Sequence, residues 1–155
     1  YGCIYRYCFS DSGTTLAMGE LTAELSRRFA ALRVCMDAGE EAMRPGAKAS
    51  TVAGAMVEAL HERGITASFP HGHGVGLEVR DYPVLVPDNG LRVKDDCVDQ
   101  PSDLTLEADM VLNLEAPLFM PGVGSLHSEQ SYVVTPQGSR PLLDQQRERP
   151  VLIGQ

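Results

Sequence analysis

Between Leu21 and Met43 the apolar residues Leu21, Leu25, Phe29, Leu32, Met36 and Met43 recur at steps of three, four or seven. That spacing places them on one side of a helix, with Glu24, Arg27, Arg28, Arg33, Asp37 and Glu40 on the other. A stripe of this kind cannot bury itself, so the rest of the chain must supply a second layer. Arg44-Pro45-Gly46 ends the helix, and a second one is predicted from a Ser50 cap to about Arg63. Val52, Met56, Val57 and Leu60 form its inward side, and Gly64 is its stop. After Gly64 the helical period does not return.

The remaining segments read as strands and loops. Tyr1 to Phe9 is rich in strand formers, Ser10-Asp11-Ser12-Gly13 has turn chemistry, and Thr14 to Met18 can return as the second arm of a hairpin, with Asp11 near the bend. Met110 to Glu115, Leu118 to Met120 and Ser128 to Thr135 are further strands, and the polar stretch from Leu91 to Leu104 reads as an exposed excursion. A hairpin, two helices and then several strands imply an α+β fold in one domain of 155 residues. The net charge of −8 and the lack of a Lys/Arg cluster argue against a nucleic-acid partner. No apolar run approaches the roughly 20 residues that span a bilayer, which argues against a membrane role. Cys3, Cys8, Cys35 and Cys97 form no C-x-x-C pair and read as reduced thiols of a cytoplasmic protein, with Cys3 and Cys8 on opposite faces of one strand.

Four side chains stand out by context. Asp11 sits in turn chemistry, His73 is flanked by glycines, Glu115 interrupts the apolar run from Val111 to Pro117, and Glu129 precedes the apolar strand that includes Tyr132, Val133 and Val134. A carboxylate inside or at the edge of a buried strand is destabilising unless it is paired, hydrogen-bonded or bound to metal. Two of them in neighbouring strands repel unless a cation lies between them.

Taken in order, these segments resemble the pita-bread metallohydrolases, the group of Xaa-Pro peptidases, methionine aminopeptidases and creatinase. Tyr5 to Thr15 resembles the second half of the family's D-x-G…Y-x-x-D hairpin, and Arg44-Pro45-Gly46 its R-P-G turn. The stretch from Gly72 to Pro83 resembles the histidine motif G-H-G-x-G-L-x-x-H-E-x-P. Met110 to Pro117 resembles M-V-x-x-x-E-P, and His127-Ser128-Glu129-Gln130 followed by Val133 to Gly138 resembles R-x-E-D before V-V-T-x-x-G. The resemblance implies an incomplete pita-bread fold, with residues 1–155 as the C-terminal portion of one catalytic domain that lacks its N-terminal part. It implies metal ligation by Asp11, His73, Glu115 and Glu129, with two divalent ions (Mn, Co, Fe or Zn) in the intact enzyme. The family's remaining ligand, the aspartate of D-x-G, falls just ahead of Tyr1, so the fragment alone is expected to be inactive.

The activity implied is that of a metallopeptidase of the Xaa-Pro dipeptidase or aminopeptidase type, with manganese a natural metal. A metal-bound hydroxide would attack an amide carbonyl, His73 would hold the metal, and Glu115 would move the proton. A peptide or small amide is the implied substrate and a homodimer the implied assembly. Three positions depart from the peptidase pattern. Arg80 stands where a second histidine is usual, and either pairs with Asp81 or clamps a substrate carboxylate. Phe69 stands where prolidase-type members often carry histidine, and His71 either substitutes for it as a substrate-binding group or faces solvent. His127 and Gln130 replace Arg and Asp, and His127 is expected to orient a metal ligand from behind. These departures leave two alternatives open: a creatinase-like or ectoine-hydrolase-like C–N hydrolase of a small metabolite, and a non-catalytic peptide-binding module.

Overall fold

The computed structural model describes residues 1–95, 98–143 and 150–153. Two helices, α1 (Ala23–Ala42) and α2 (Ala49–His61), follow four short strands: β1 (Gly2–Tyr5), β2 (Cys8–Asp11), β3 (Gly13–Thr14) and β4 (Leu16–Met18). The strands after the helices are β5 (His71–Gly74), β6 (Asp81–Leu85), β7 (Arg92–Asp95), β8 (Val98–Pro101), β9 (Val111–Met120), β10 (Gly124–Thr135), β11 (Gly138–Pro141) and β12 (Val151–Ile153). The main sheet runs β11-β10-β9-β5-β6, with β3 also paired to β10. The expected α+β class holds.

Thr22 caps α1 by accepting a hydrogen bond from the Leu25 backbone N–H at 3.2 Å. Phe29, Leu32 and Met36 carry the predicted stripe into the core with Cys35 beside them, whereas Leu21 precedes the helix; α1 lies against β9 and β10, and α2 lies against α1 and β6. Side chains alternate across a strand, so β9 serves two environments. Leu112, Leu114, Ala116 and Leu118 join the helices in the core. Each leucine so buried contributes roughly 1.5–3 kcal/mol. Asn113, Glu115 and Pro117 fall at the alternate positions, and in β10 His127, Glu129 and Ser131 alternate likewise with the core residues Leu126, Tyr132 and Val134. One face of the sheet is therefore held down by helices, and the other presents polar groups on a rigid support.

Four local expectations are corrected. The first hairpin turns at Arg6-Tyr7, both with positive φ (49° and 68°), and not at Ser10–Gly13. Asp11 consequently ends the second arm opposite Gly2, and Cys3 and Cys8 lie on different strands. A left-handed pair without glycine or asparagine carries no sequence signal. β9 runs unbroken through Pro117, because its partner His127 directs both its backbone N–H and its carbonyl to the Thr15 hydroxyl, at 2.8 and 3.0 Å. The missing proline N–H thus leaves no ladder bond unmade on that side. Ser50 is not the cap of α2; Lys48 is, and Ser50 binds the distant Asp103 carboxylate through its backbone N–H (2.9 Å) and hydroxyl (3.0 Å). The polar excursion contains a hairpin of β7 and β8. Cys3, Cys8 and Cys35 are free thiols, whereas Cys97 and Asp96 lie outside the described residues. Among the described residues no helix is long and apolar enough to cross a membrane.

Candidate metal centre

The polar face of the sheet brings the four expected ligand positions together. Glu115 on β9 and Glu129 on β10 are direct register partners, and Glu129 also pairs with Gly13 of β3. His73 on β5 pairs with Asn113, one strand away. Asp11 arrives from β2, where the Ser131 hydroxyl donates to its carbonyl oxygen at 2.8 Å. All four side chains are largely withdrawn from solvent.

His73 is aimed by its own backbone. Its Nδ1 lies 2.9 Å from the Gly74 carbonyl oxygen, so that nitrogen carries the proton and donates. Nε2 then turns toward Glu115 Oε1 at 3.1 Å and Asp11 Oδ2 at 3.8 Å. An imidazole whose outer nitrogen faces two carboxylates, with the other nitrogen tied to a backbone carbonyl, has the orientation of a metal-ligating histidine.

The two glutamates differ in their neighbours. Burial alone would raise the Glu115 carboxyl, but the neighbouring imidazoles of His127, His71 and His73 outweigh it and hold the group far below the usual carboxylate range. Glu129 is pushed upward, first by burial and further by the charges of Asp11 and Glu115. The Asn113 amide donates to Glu129 Oε1 at 2.7 Å and works the other way. Gly13 makes room for this carboxylate: a Cβ there would lie 2.2 Å from Glu129 Oε2.

His71 does not face solvent. Its Nε2 is 3.3 Å from Glu115 Oε1, and that contact, ahead of an opposing effect of burial, raises its pKa. Arg80 does not pair with Asp81; its Nη2 donates to Glu115 Oε1 at 2.7 Å. Asp81 accepts instead from the Tyr82 backbone N–H. His127 Nε2 stands 3.5 Å from Glu115 Oε2, and Glu115, His127 and Glu129 offer donor atoms within 4.8 Å of one another. His127 is therefore placed beside the carboxylates as a possible ligand in its own right. Beside these groups opens a cavity of about 410 Å³, lined by Phe69, His71, Arg80, Glu115, Phe119 and His127. Phe69 stacks on His71 at 5.6 Å and on Phe119 at 6.2 Å between ring centroids.

Sequence reasoning missed three residues. Asn113 orients Glu129, Ser131 lies 3.2 Å from Asn113 Oδ1, and Thr15 fixes the backbone of His127. Asn113 was detectable, since it stands two positions before Glu115 on the same strand face.

The donor set fits a divalent cation. Carboxylates and one or two imidazoles suit Mn²⁺, Co²⁺, Fe²⁺ or Zn²⁺. Burial is the first cause of the rise at Glu129, and the further push from the Asp11 and Glu115 charges is what a cation between the carboxylates would relieve.

Comparison with known proteins matches this geometry to a family. The model of metallopeptidase family M24 matches residues 1–136. The Xaa-Pro dipeptidase of Lactobacillus delbrueckii subsp. lactis is 28% identical over 153 residues, covering 97% of this chain and 38% of that protein. A probable dipeptidase PepE of Mycobacterium bovis is 31% identical over 132 residues, covering 84% of this chain and 32% of that protein. Among solved structures, dipeptidase PepE from Mycobacterium ulcerans superposes with a TM-score of 0.83 at 27% identity, over 98% of this chain and 38% of that one. The chain thus spans well under half the length of these relatives.

Proposed function

The chain belongs to metallopeptidase family M24 and has its α+β pita-bread fold, and from that premise we propose that it contributes the metal-binding half of a peptidase-type hydrolase site. The observation that carries this reading is the opposition of Glu115 and Glu129 on adjacent strands, with the His73 Nε2 aimed between Glu115 and Asp11. Asp11, His73, Glu115 and Glu129 would hold the cations, with His127 near enough to join them. Manganese, like cobalt, iron or zinc, suits this set of donors. Bound there, divalent ions lower the pKa of water and polarise an amide carbonyl.

The chain's own residues supply the rest. Glu115, at the wall of the cavity, would take a proton from the attacking water and hand it on to the leaving amine. Asn113 keeps Glu129 in one orientation. Phe69 and Phe119 wall the cavity that would receive an apolar residue of the substrate, and His71 and Arg80 provide donors in its lining. Two relatives are named as dipeptidases, one of them for Xaa-Pro substrates, and this supports an Xaa-Pro dipeptide as substrate. The length relation supports reading residues 1–155 as the C-terminal portion of one larger catalytic domain. A cytoplasmic setting fits the free thiols of Cys3, Cys8 and Cys35.

A second reading, a C–N hydrolase of a small metabolite that works without metal, is favoured by one contact. Arg80 already supplies a fixed positive charge to Glu115. One experiment separates the two: hydrolysis of an Xaa-Pro dipeptide by the intact enzyme that contains this chain, with and without added Mn²⁺. The peptidase reading expects metal-dependent cleavage that E115Q abolishes. No cleavage with Mn²⁺, Co²⁺, Fe²⁺ or Zn²⁺ would sink it.

A further inference from the structure

Glu115 Oε1 has more nitrogen neighbours than one oxygen can keep beside a divalent ion. Arg80 Nη2 lies at 2.7 Å, His73 Nε2 at 3.1 Å and His71 Nε2 at 3.3 Å. The other oxygen, Oε2, faces only His127 among these groups, at 3.5 Å. Of these three groups, Arg80 alone carries a fixed charge at neutral pH. It is also the most exposed: 59% of its side chain is open to solvent, against 8% for Glu115. Its other described contact is a long one, from Nη1 to His71 Nε2 at 3.4 Å.

Resting on the reading of Asp11, His73, Glu115 and Glu129 as metal ligands, we propose that Arg80 is a displaceable counter-ion that competes with a divalent cation for Glu115. Without the cation, the guanidinium neutralises a carboxylate that would otherwise be buried beside Asp11 and Glu129. With the cation bound, the two positive groups on one oxygen repel, and the group on a flexible, solvated stem is the one that leaves. The released guanidinium remains at the cavity that holds Phe69 and Phe119, where its planar fork suits a ligand carboxylate. Metal loading and carboxylate binding are then linked through one side chain, each favouring the other.

The test is calorimetric titration of the metal-stripped protein with Mn²⁺, comparing wild type with R80Q, R80K, E129Q and R92Q. Arg92 pairs with Asp99 on the β7–β8 hairpin and serves as the control for lost surface charge. R80Q is expected to bind Mn²⁺ about tenfold more tightly than wild type. R80K, which keeps the charge, and R92Q should stay close to wild type. If R80Q binds no better than wild type while E129Q abolishes binding, the counter-ion role is overturned and the metal site stands. If E129Q binds as wild type does, or if neither wild type nor R80Q binds, the metal site falls and the counter-ion role with it.

Discussion

Glu115 and Glu129 are register partners on adjacent strands, yet one is surrounded by positive groups and the other is held by an amide. Adjacent buried carboxylates would ordinarily push one another toward the neutral form. The histidines at Glu115 break that symmetry: its carboxyl is held low while that of Glu129 is raised. The polar face of the sheet is thus electrostatically uneven before any ligand arrives, and the groups that create the unevenness can be tested singly.

Asn113 is the first. Its Nδ2 donates to Glu129 Oε1 at 2.7 Å from a fully buried position. N113A leaves that carboxylate freer to rotate and removes a donor that favours its ionised form. Mn²⁺ affinity measured by calorimetry should fall by about 10- to 100-fold. An unchanged affinity would show that Glu129 is oriented by something else.

Gly13 controls the same carboxylate sterically. Alanine would place a Cβ 2.2 Å from Glu129 Oε2 and 3.1 Å from its Cβ. The carboxylate end of a side chain can swing away more easily than backbone can move, so the damage should fall on the site and not on the fold. G13A is expected to lose Mn²⁺ binding by at least about tenfold. Its urea-unfolding free energy, measured without metal, should change by less than about 2 kcal/mol. A large loss of stability with intact metal binding would contradict this account.

The parts of this arrangement legible in the sequence are those in which a residue contradicts its own neighbourhood. Glu115 interrupts an apolar run, and His73 stands between glycines. The stripe from Phe29 to Met36 follows a helical period, and all of it is buried. What was not legible depends on partners distant in the chain or on backbone states that residue type does not announce. Arg6-Tyr7 turns a hairpin with ordinary residues in the left-handed region. Asp103 serves the start of α2 across 53 positions of sequence. Arg80 reads as a neighbour of Asp81 until β5, β9 and the loop after β5 bring it onto Glu115. Pro117 suggests a strand end because nothing in the sequence reveals that Thr15 satisfies the backbone of its partner.

Cysteine accessibility checks the core independently of the site. Burial pushes the Cys35 thiol up to about 12, so at pH 8 it is neutral as well as enclosed by α1 and its neighbours. Cys3 and Cys8 are exposed on the first hairpin. Iodoacetamide labelling of the native protein at pH 8, followed by peptide mapping, should modify Cys3 and Cys8 and spare Cys35 until denaturant is added. Labelling of Cys35 at a rate matching Cys3 would mean that the helix layer opens far more readily than its packing implies.

Glu40, on α1, gives a pH dependence that does not involve the site. Burial raises its carboxyl above the ordinary value of 4.5, partly offset by Arg33 and reinforced by Asp37. The sign follows from proton linkage. With the folded pKa above the unfolded one, the folded state holds the extra proton between the two values. The contribution of Glu40 to stability is therefore complete below pH 4.5 and is lost as pH rises through its folded value. E40Q mimics the protonated side chain at every pH. Urea unfolding of both proteins along a pH series should show little difference at the acid end and a growing advantage for E40Q toward neutrality. An advantage that shrinks as pH rises would reverse the sign and place Glu40 in a setting that favours its charge.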